Sequence, residues 1–330
     1  MKPNEEDALK KRKLGNSTLG VGPLAFGGNV FGWTVDESAS FKLLDAFVAS
    51  GLNLVDTADV YSRWVPGHQG GESEAILGKW TATGNKRSNV ILATKVGIDM
   101  GEGKKGLKAA YIHRAVEDSL RRLQTDYIDL YQAHKDDEET PLEETLSAFD
   151  KLVQQGKVLH VGASNYSGAR LAKALRTSKD NGLVSYISIQ PHYNLVEREE
   201  FETDLLPVVQ EHGLGVIPYY SLAAGFLTGK YRTKEDAEGK VRAVTVKKYL
   251  NGWGFQVLKV LDEVAKEHHS TPARVALAWL MVQPGVTAPI ASATSEKHLT
   301  DLIEAARLKL DHASIQKLTA VSAPATASKT

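Results

Sequence analysis

Four side chains suited to proton chemistry, Asp56, Tyr61, Lys95 and His134, fall at or just beyond the ends of short apolar runs. Asn53–Thr57 carries Asp56, with Tyr61 five residues further on; Val90-Ile91-Leu92-Ala93-Thr94 ends on Lys95; Tyr127–Gln132 is followed by His134. Lysine is seldom buried without a partner. If Lys95 points into a core it needs a counter-ion, and Asp56 on the neighbouring run is well placed to supply one. Each residue alone has a plainer use: Asp56 as a loop cap, Tyr61 as an amphipathic wall, His134 as a satisfied structural histidine. It is their convergence on one mouth that points to a site. A lysine in such a site serves either as a fixed cation or as the Schiff-base nucleophile of a lyase or aldolase.

The elements that must hold these residues alternate along the chain. Strand-like runs occupy Leu24–Gly27, Asn53–Thr57, Asn89–Lys95, Tyr127–Gln132, Val158–Ala163, Tyr186–Gln190, Gly215–Pro218 and Val286–Ile290. Most are continuously apolar, as strands buried on both faces of a parallel sheet are. Between them lie helical patterns such as Ser38–Ser50, Leu107–Leu123, Leu142–Gln155, Ser167–Ser178 and Phe255–His268. Thr140-Pro141-Leu142-Glu143 reads as a capping box, and Gly51, Gly156 and Gly213 follow helices where a left-handed residue is wanted. Eight strand–helix units predict an α/β fold, a (β/α)8 TIM barrel, whose active site lies at the C-terminal strand ends. An open doubly wound sheet is the alternative, but no G-x-G-x-x-G follows an early strand. Polar–apolar alternation in Arg12–Gly22 around Gly15-Asn16 predicts an N-terminal β-hairpin cap. Leu222–Asn251, after strand seven, is a long basic loop of the kind that usually carries function.

Composition narrows the class. The 330 residues contain 40 Lys+Arg and 40 Asp+Glu and no cysteine. Zero net charge argues against nucleic acid, which needs a basic excess. The absence of cysteine removes disulfides, thiolate-bound zinc and a thiol nucleophile. No apolar run approaches the roughly 18 residues of a membrane helix, and Met1–Lys13 lacks the apolar core of a signal peptide, so a cytoplasmic location is expected. At about 150 residues per domain the length suggests two domains, but an elaborated barrel over 1–330 is the better reading, with 1–9 and 322–330 expected to fray. Pro66-Gly67-His68-Gln69-Gly70-Gly71 lacks the Lys-Ser/Thr of a phosphate cradle. The acidic run Asp136–Glu139 reads as solvated charge, and no His/Cys cluster has metal-ligand spacing. Phe31, Trp33 and Trp64 lie in loops at the predicted mouth and are candidate substrate walls; packing between loops is their alternative use.

At this point the sequence resembles the aldo-keto reductase family, from Leu14 to about Leu310. Asp56-Thr57-Ala58-Asp59-Val60-Tyr61-Ser62 is similar to its Asp–Tyr signature, Ala93-Thr94-Lys95 to its lysine strand and Gln132-Ala133-His134 to its histidine strand. Gly162-Ala163-Ser164-Asn165-Tyr166, Gln190-Pro191-His192-Tyr193-Asn194 and Ile217-Pro218-Tyr219 with Gly225-Phe226-Leu227-Thr228-Gly229-Lys230 match in the same order. The resemblance implies reversible hydride transfer between a nicotinamide and the carbonyl of an aldehyde or ketone. Charge left on the carbonyl oxygen needs a positioned acid. Tyr61 is then the acid, Lys95 the ammonium expected to lower its pKa, Asp56 the partner of Lys95, and His134 the group that orients the substrate.

The same resemblance implies NADPH/NADP+, with NADH as the alternative, because a hydride needs a bound donor. It places Ser164, Asn165 and Gln190 against the nicotinamide amide and Tyr219 on the ring. Gly28, Asn29, Asp56, Tyr220, Ser221, Leu222, Ala223 and Gly225 are assigned to the cofactor seat, and Lys230 and Arg242 to its phosphates. Ser292, Thr294, His298 and Asp301 are assigned to the adenosine end, at a helix N-terminus. Many relatives have Ser-Pro-Leu after the tyrosine, where this chain has Tyr220-Ser221-Leu222. The potassium-channel beta subunits share the fold and bind NADPH, and they resemble this chain in the cofactor segments, yet typically carry asparagine where His134 stands. A non-catalytic regulatory subunit is therefore the alternative function. Expected partners are a small carbonyl substrate and, as an open option, further copies of the chain.

Overall fold

The computed structural model describes residues 9–240 and 242–324. The first strands among the described residues form a hairpin, β1 (Arg12–Lys13) paired antiparallel with β2 (Gly20–Val21). It turns at Gly15, whose φ is +54° and where a Cβ would stand 2.1 Å from the Ile187 carbonyl oxygen. Only glycine fits there.

Eight parallel strands follow: β3 (Ala25–Gly27), β4 (Leu54–Asp56), β5 (Ile91–Val96), β6 (Ile128–Ala133), β7 (Val158–Ser164), β8 (Ser188–Gln190), β9 (Gly215–Val216) and β10 (Ile290–Ala291). They pair in the order β10-β3-β4-β5-β6-β7-β8-β9. The two ends of that order meet. Val216 N donates to Gly285 O at 3.2 Å, Thr287 N to Val216 O at 2.8 Å and Ile290 N to Pro218 O at 2.9 Å. The ring so closed is the expected (β/α)8 barrel with its hairpin cap. Helices cover it: α1 (Glu37–Ala49), α2 (Glu72–Ala82), α3 (Ala109–Leu123), α4 (Leu142–Gln154), α5 (Gly168–Asn181), α6 (Leu206–His212, entered through a wide turn), α7 (Ala243–Val246), α8 (Gly252–Glu267), α9 (Pro272–Met281), α10 (Glu296–Arg307) and α11 (His312–Val321). None of the helices among the described residues is long and apolar enough to cross a membrane.

Period-two alternation makes two cores. Ala25, Leu54, Ile91, Ala93, Leu130, Ile217 and Ile290 face the barrel axis and pack with Leu14, Leu19 and Val21 of the hairpin segment. Phe26, Val55, Leu92 and Tyr131 face outward onto the helices. The hairpin therefore plugs the floor, and Arg12 Nη1 fastens it by donating to Met281 O at 2.8 Å and Thr287 O at 3.3 Å. With the floor plugged, ligands can enter only from the C-terminal strand ends.

Gly51, Gly156 and Gly213 adopt positive φ after their helices. The box expected at Thr140 does not form. The Thr140 hydroxyl donates to Asp137 Oδ2 at 2.6 Å, and α4 starts at Leu142 behind Pro141 without a side-chain cap. Nor is the acidic run before it simply solvated. Asp136 accepts from Arg170 Nε at 2.9 Å, and Asp137 also accepts from Leu107 N at 2.8 Å, so the two carboxylates tie this loop to neighbouring elements. Of the termini expected to fray, 1–8 and 325–330 lie outside the described residues. Ser322 is buried, accepting from Arg198 Nη1 at 2.9 Å. The long segment after β9 is broken into short helical turns whose Phe226, Leu227, Tyr231 and Tyr249 are buried, which anchors it over the barrel rim.

Candidate active site

Alternation decides which strand residues reach the mouth. Asp56 is two residues beyond the inward Leu54, Lys95 two beyond Ala93, and Gln132 two beyond Leu130, so all three face the barrel axis one layer above the apolar floor. Register completes the arrangement by pairing Lys95 with Gln132 and Gln132 with Gly162. Glycine is required at 162, since a Cβ there would lie 2.5 Å from Ser188 Oγ and 3.3 Å from Gln132 Cγ.

Lys95 has no exposed surface. Its Nζ donates to Asp56 Oδ2 at 2.6 Å and to Thr57 O at 2.8 Å, and lies 3.3 Å from the Tyr61 hydroxyl. The second Asp56 oxygen accepts from Gln132 Nε2 at 3.1 Å and Gln190 Nε2 at 3.0 Å. Burial works against the Lys95 charge, but Asp56 and Tyr61 outweigh it and hold the ammonium above its ordinary pKa. The expectation for Tyr61 needs correcting. Burial, the largest influence, raises the phenol's pKa; Lys95 pulls it down without prevailing, and Asp56 adds to the rise. In the free protein Tyr61 is thus a protonated acid whose conjugate base has an ammonium waiting beside it. The His134 ring stands edge-on to Tyr61 at 5.9 Å between centroids. Burial first, then Lys95, pushes His134 well below the usual histidine range, so its imidazole is neutral.

Around this centre, Asn165 Nδ2 donates to His134 O at 2.9 Å and to Ser164 Oγ at 3.0 Å, and the Tyr219 hydroxyl donates to Asn165 Oδ1 at 2.9 Å. Ser164 Oγ donates to Gln190 O at 2.9 Å. The residues proposed from sequence for a nicotinamide amide and ring therefore form one connected layer with the tetrad. Gly28 and Asn29 lie in the turn after β3, where Ser292 Oγ donates to Gly27 O at 2.8 Å and sits 2.7 Å from Asn29 Oδ1. Tyr220 is 44% exposed at the rim. Ser221 is spent elsewhere: its buried hydroxyl donates to Ile290 O at 2.8 Å and helps to shut the barrel. Leu222 and Ala223 lead into the turn, with Gly225 beside the Lys230 side chain. Thr294 and His298 meet at 3.0 Å on the first turn of α10. Asp301 is paired with Arg274 at 2.8 Å, so its carboxylate is already engaged.

The long loop after β9 gathers cations whose chemistry suits an anion such as a phosphate. Lys230 is lowered from its ordinary value by burial, then by Arg242 and Lys240. None of these three cations forms an ion pair among the described residues, so they repel one another while available to an anion. Lys240 was not picked out in the sequence, although the basic character of the loop was its signal. Gln132 was also missed as a holder of Asp56; a polar residue ending an apolar strand was the clue.

Of the proposed substrate walls, Trp33 and Trp64 pack edge to face at 5.6 Å, and Trp64 lies 5.7 Å from Tyr61 with 47% of its surface exposed. The two rings pack the loops against each other beside Tyr61. Phe31 does not line the mouth: it is fully buried and stacks on Phe26 at 5.2 Å, because the turn after β3 directs it back into the outer core.

The aldo/keto reductase family profile matches residues 19–323. The oxidoreductase YrpG of Bacillus subtilis is 37% identical over 306 residues, spanning 90% of this chain and 91% of that protein. The aldo-keto reductase YhdN of the same organism is 34% identical, over 87% of this chain and 84% of its own. A probable voltage-gated potassium channel subunit beta of Oryza sativa subsp. japonica is 32% identical, over 90% and 91%. A barrel with its floor plugged, a buried Lys–Asp pair beneath a tyrosine, and a match across nearly the full length lead to one conclusion: the chain belongs to the aldo/keto reductase family.

Proposed function

We propose that the protein is an NADPH-dependent reductase that converts a small aldehyde or ketone to the alcohol, and the reverse. The observation that carries this reading is the Tyr61 hydroxyl, 3.3 Å from a lysine that is itself locked onto Asp56 at 2.6 Å. The nicotinamide, when bound, supplies the hydride. Tyr61 gives its proton to the carbonyl oxygen as charge develops there, and Lys95 stabilises the tyrosinate left behind. Asp56, held by Gln132 and Gln190, keeps Lys95 in place. His134, neutral, is a hydrogen-bond donor for the same oxygen. Lys230, Lys240 and Arg242 are the residues to hold the cofactor phosphates, with Asn165, Ser164 and Tyr219 at the nicotinamide. A Schiff-base mechanism is disfavoured, since it needs Lys95 as a free amine and three contacts hold it as an ammonium.

The test is NADPH oxidation over a panel of aldehydes, ketones and sugars, with Tyr61→Phe as control. Removing a positioned acid costs about 10²- to 10⁴-fold in kcat, while NADPH binding by fluorescence persists. Full turnover by Tyr61→Phe overturns the assignment. The similarity to channel beta subunits supports a second, regulatory reading, and that reading prevails if no carbonyl in the panel is turned over.

A further inference from the structure

His192 was singled out by no mechanistic role, yet its ring lies parallel to that of Tyr219, with centroids 5.2 Å apart and planes 17° apart. The two residues are joined by a parallel bridge between the strand ends after β8 and β9, so their side chains leave the backbone side by side. Tyr220 closes the edge of the same ring at 5.5 Å. Asn194 Nδ2 reaches His192 Nε2 at 3.5 Å while donating to Tyr220 O at 2.9 Å. On its open side His192 lines a cavity of about 690 Å³, bounded also by Glu197, Arg198 and Trp253. Among the described residues Tyr219 is held by its hydroxyl on Asn165 Oδ1 at 2.9 Å, at one edge by Tyr220 at 5.4 Å, and across a face of its ring by His192. Take away the imidazole and that face of the phenol ring loses its support on the side of the cavity.

We propose that His192 is a positioning residue for the cofactor: stacked against Tyr219, it fixes the ring plane on which the nicotinamide is received. The inference rests on the reading of Tyr219 as the nicotinamide's stacking partner. A ring pinned at its hydroxyl alone can rotate about that bond. A ring pinned at its hydroxyl and across one face has one orientation, so its stacking surface is preorganised and less is lost on binding. The same chain of contacts continues from Tyr219 through Asn165 to the His134 carbonyl, so a displaced Tyr219 also loosens the backbone that carries His134.

The experiment measures NADPH dissociation constants by fluorescence for Tyr219→Ala, His192→Ala, His192→Gln and His192→Phe, with kcat and cofactor KM for each. An aromatic stack contributes enough that His192→Ala and His192→Gln should weaken NADPH by about threefold to tenfold. The loss should fall mainly on the cofactor KM rather than on kcat, and His192→Phe, which keeps a π face, should restore binding. If His192→Ala proves poorly folded, His192→Gln, which fills the space without a ring, carries the test. Weakening by Tyr219→Ala but unchanged or tighter binding in both His192→Ala and His192→Gln overturns the proposal. Unchanged binding in Tyr219→Ala overturns the stacking reading instead. Equal loss in His192→Phe and His192→Ala also overturns the proposal, because a stack is then not what His192 contributes.

Discussion

A lysine with no exposed surface and a carboxylate 2.6 Å away cannot be removed without leaving a charge stranded. Lys95→Met should cost about 3–5 kcal/mol, the usual penalty for breaking a buried ion pair from one side. Lys95→Met combined with Asp56→Leu should recover most of that stability while activity stays lost in both. Urea midpoints of the two variants check this, and equal midpoints would refute it. Asp59 tells the opposite story. It is buried with both carboxylate oxygens lacking a partner, beside Glu74, which Thr94 and Arg122 satisfy. Burial, then the Glu74 charge, raises its pKa well above the ordinary carboxylate value. The folded state thus holds this proton more tightly than the unfolded chain does. The stability linked to it is complete below about pH 4, the unfolded value, and is lost as pH rises toward the folded one. Asp59→Asn cannot ionise, so its melting temperature should gain on the wild type as pH climbs from 4 to neutrality. Parallel pH curves would sink the idea. Asp56 and Lys95 were legible in the sequence because a charged residue inside an apolar strand has only the barrel mouth to face. Asp59 and Phe31 were not, because they lie in or beyond a turn, where no period says which way a side chain points.

At the level of elements, eight apolar runs were enough to predict the barrel, since parallel strands buried on both faces leave a signal that survives blurred ends. The strand predicted from Gly215 to Pro218 is shorter in the structure, but Pro218 O still receives Ile290 N at 2.9 Å to close the ring. What the pattern could not show was competition for a side chain. Thr140 looked like a helix cap, yet Asp137 takes its hydroxyl; Ser221 looked like a cofactor contact, yet the barrel seam takes it. The hairpin is the element whose role is most easily tested. Arg12 anchors it to carbonyls at the end of α9 and on the strand entering β10, on the floor of the barrel and remote from Tyr61. Removing it leaves those carbonyls without their donor, at about 1–3 kcal/mol. Arg12→Ala should therefore lower the denaturation midpoint and leave kcat and cofactor KM at wild-type values. A changed KM would mean that the plug communicates with the mouth.

Over the whole molecule, 40 positive and 40 negative side chains cancel, and the cancellation conceals where the charges lie. Some exposed cations, such as Lys79 with Glu37 and Arg232 with Asp262, have a carboxylate partner, and others stand alone in solvent. Lys230, Lys240 and Arg242 have none among the described residues, and Lys230 is disfavoured as a cation by burial first and then by the other two. A neutral protein that gathers three mutually repelling cations on the loop over its active-site rim has a use for an anion there. If that anion is the cofactor, Lys230→Ala and Arg242→Ala should each raise the NADPH dissociation constant about tenfold, the worth of one charge-assisted hydrogen bond. Neither should destabilise the free protein, because each relieves repulsion. The loss should also be sensitive to salt. The Debye length falls from about 10 Å at 0.1 M ionic strength to about 3 Å at 1 M, so wild-type affinity should drop with added salt more steeply than that of the Lys230→Ala/Arg242→Ala double variant. Identical salt slopes for the two proteins would place the phosphates elsewhere on the rim and leave the basic loop as solvated charge.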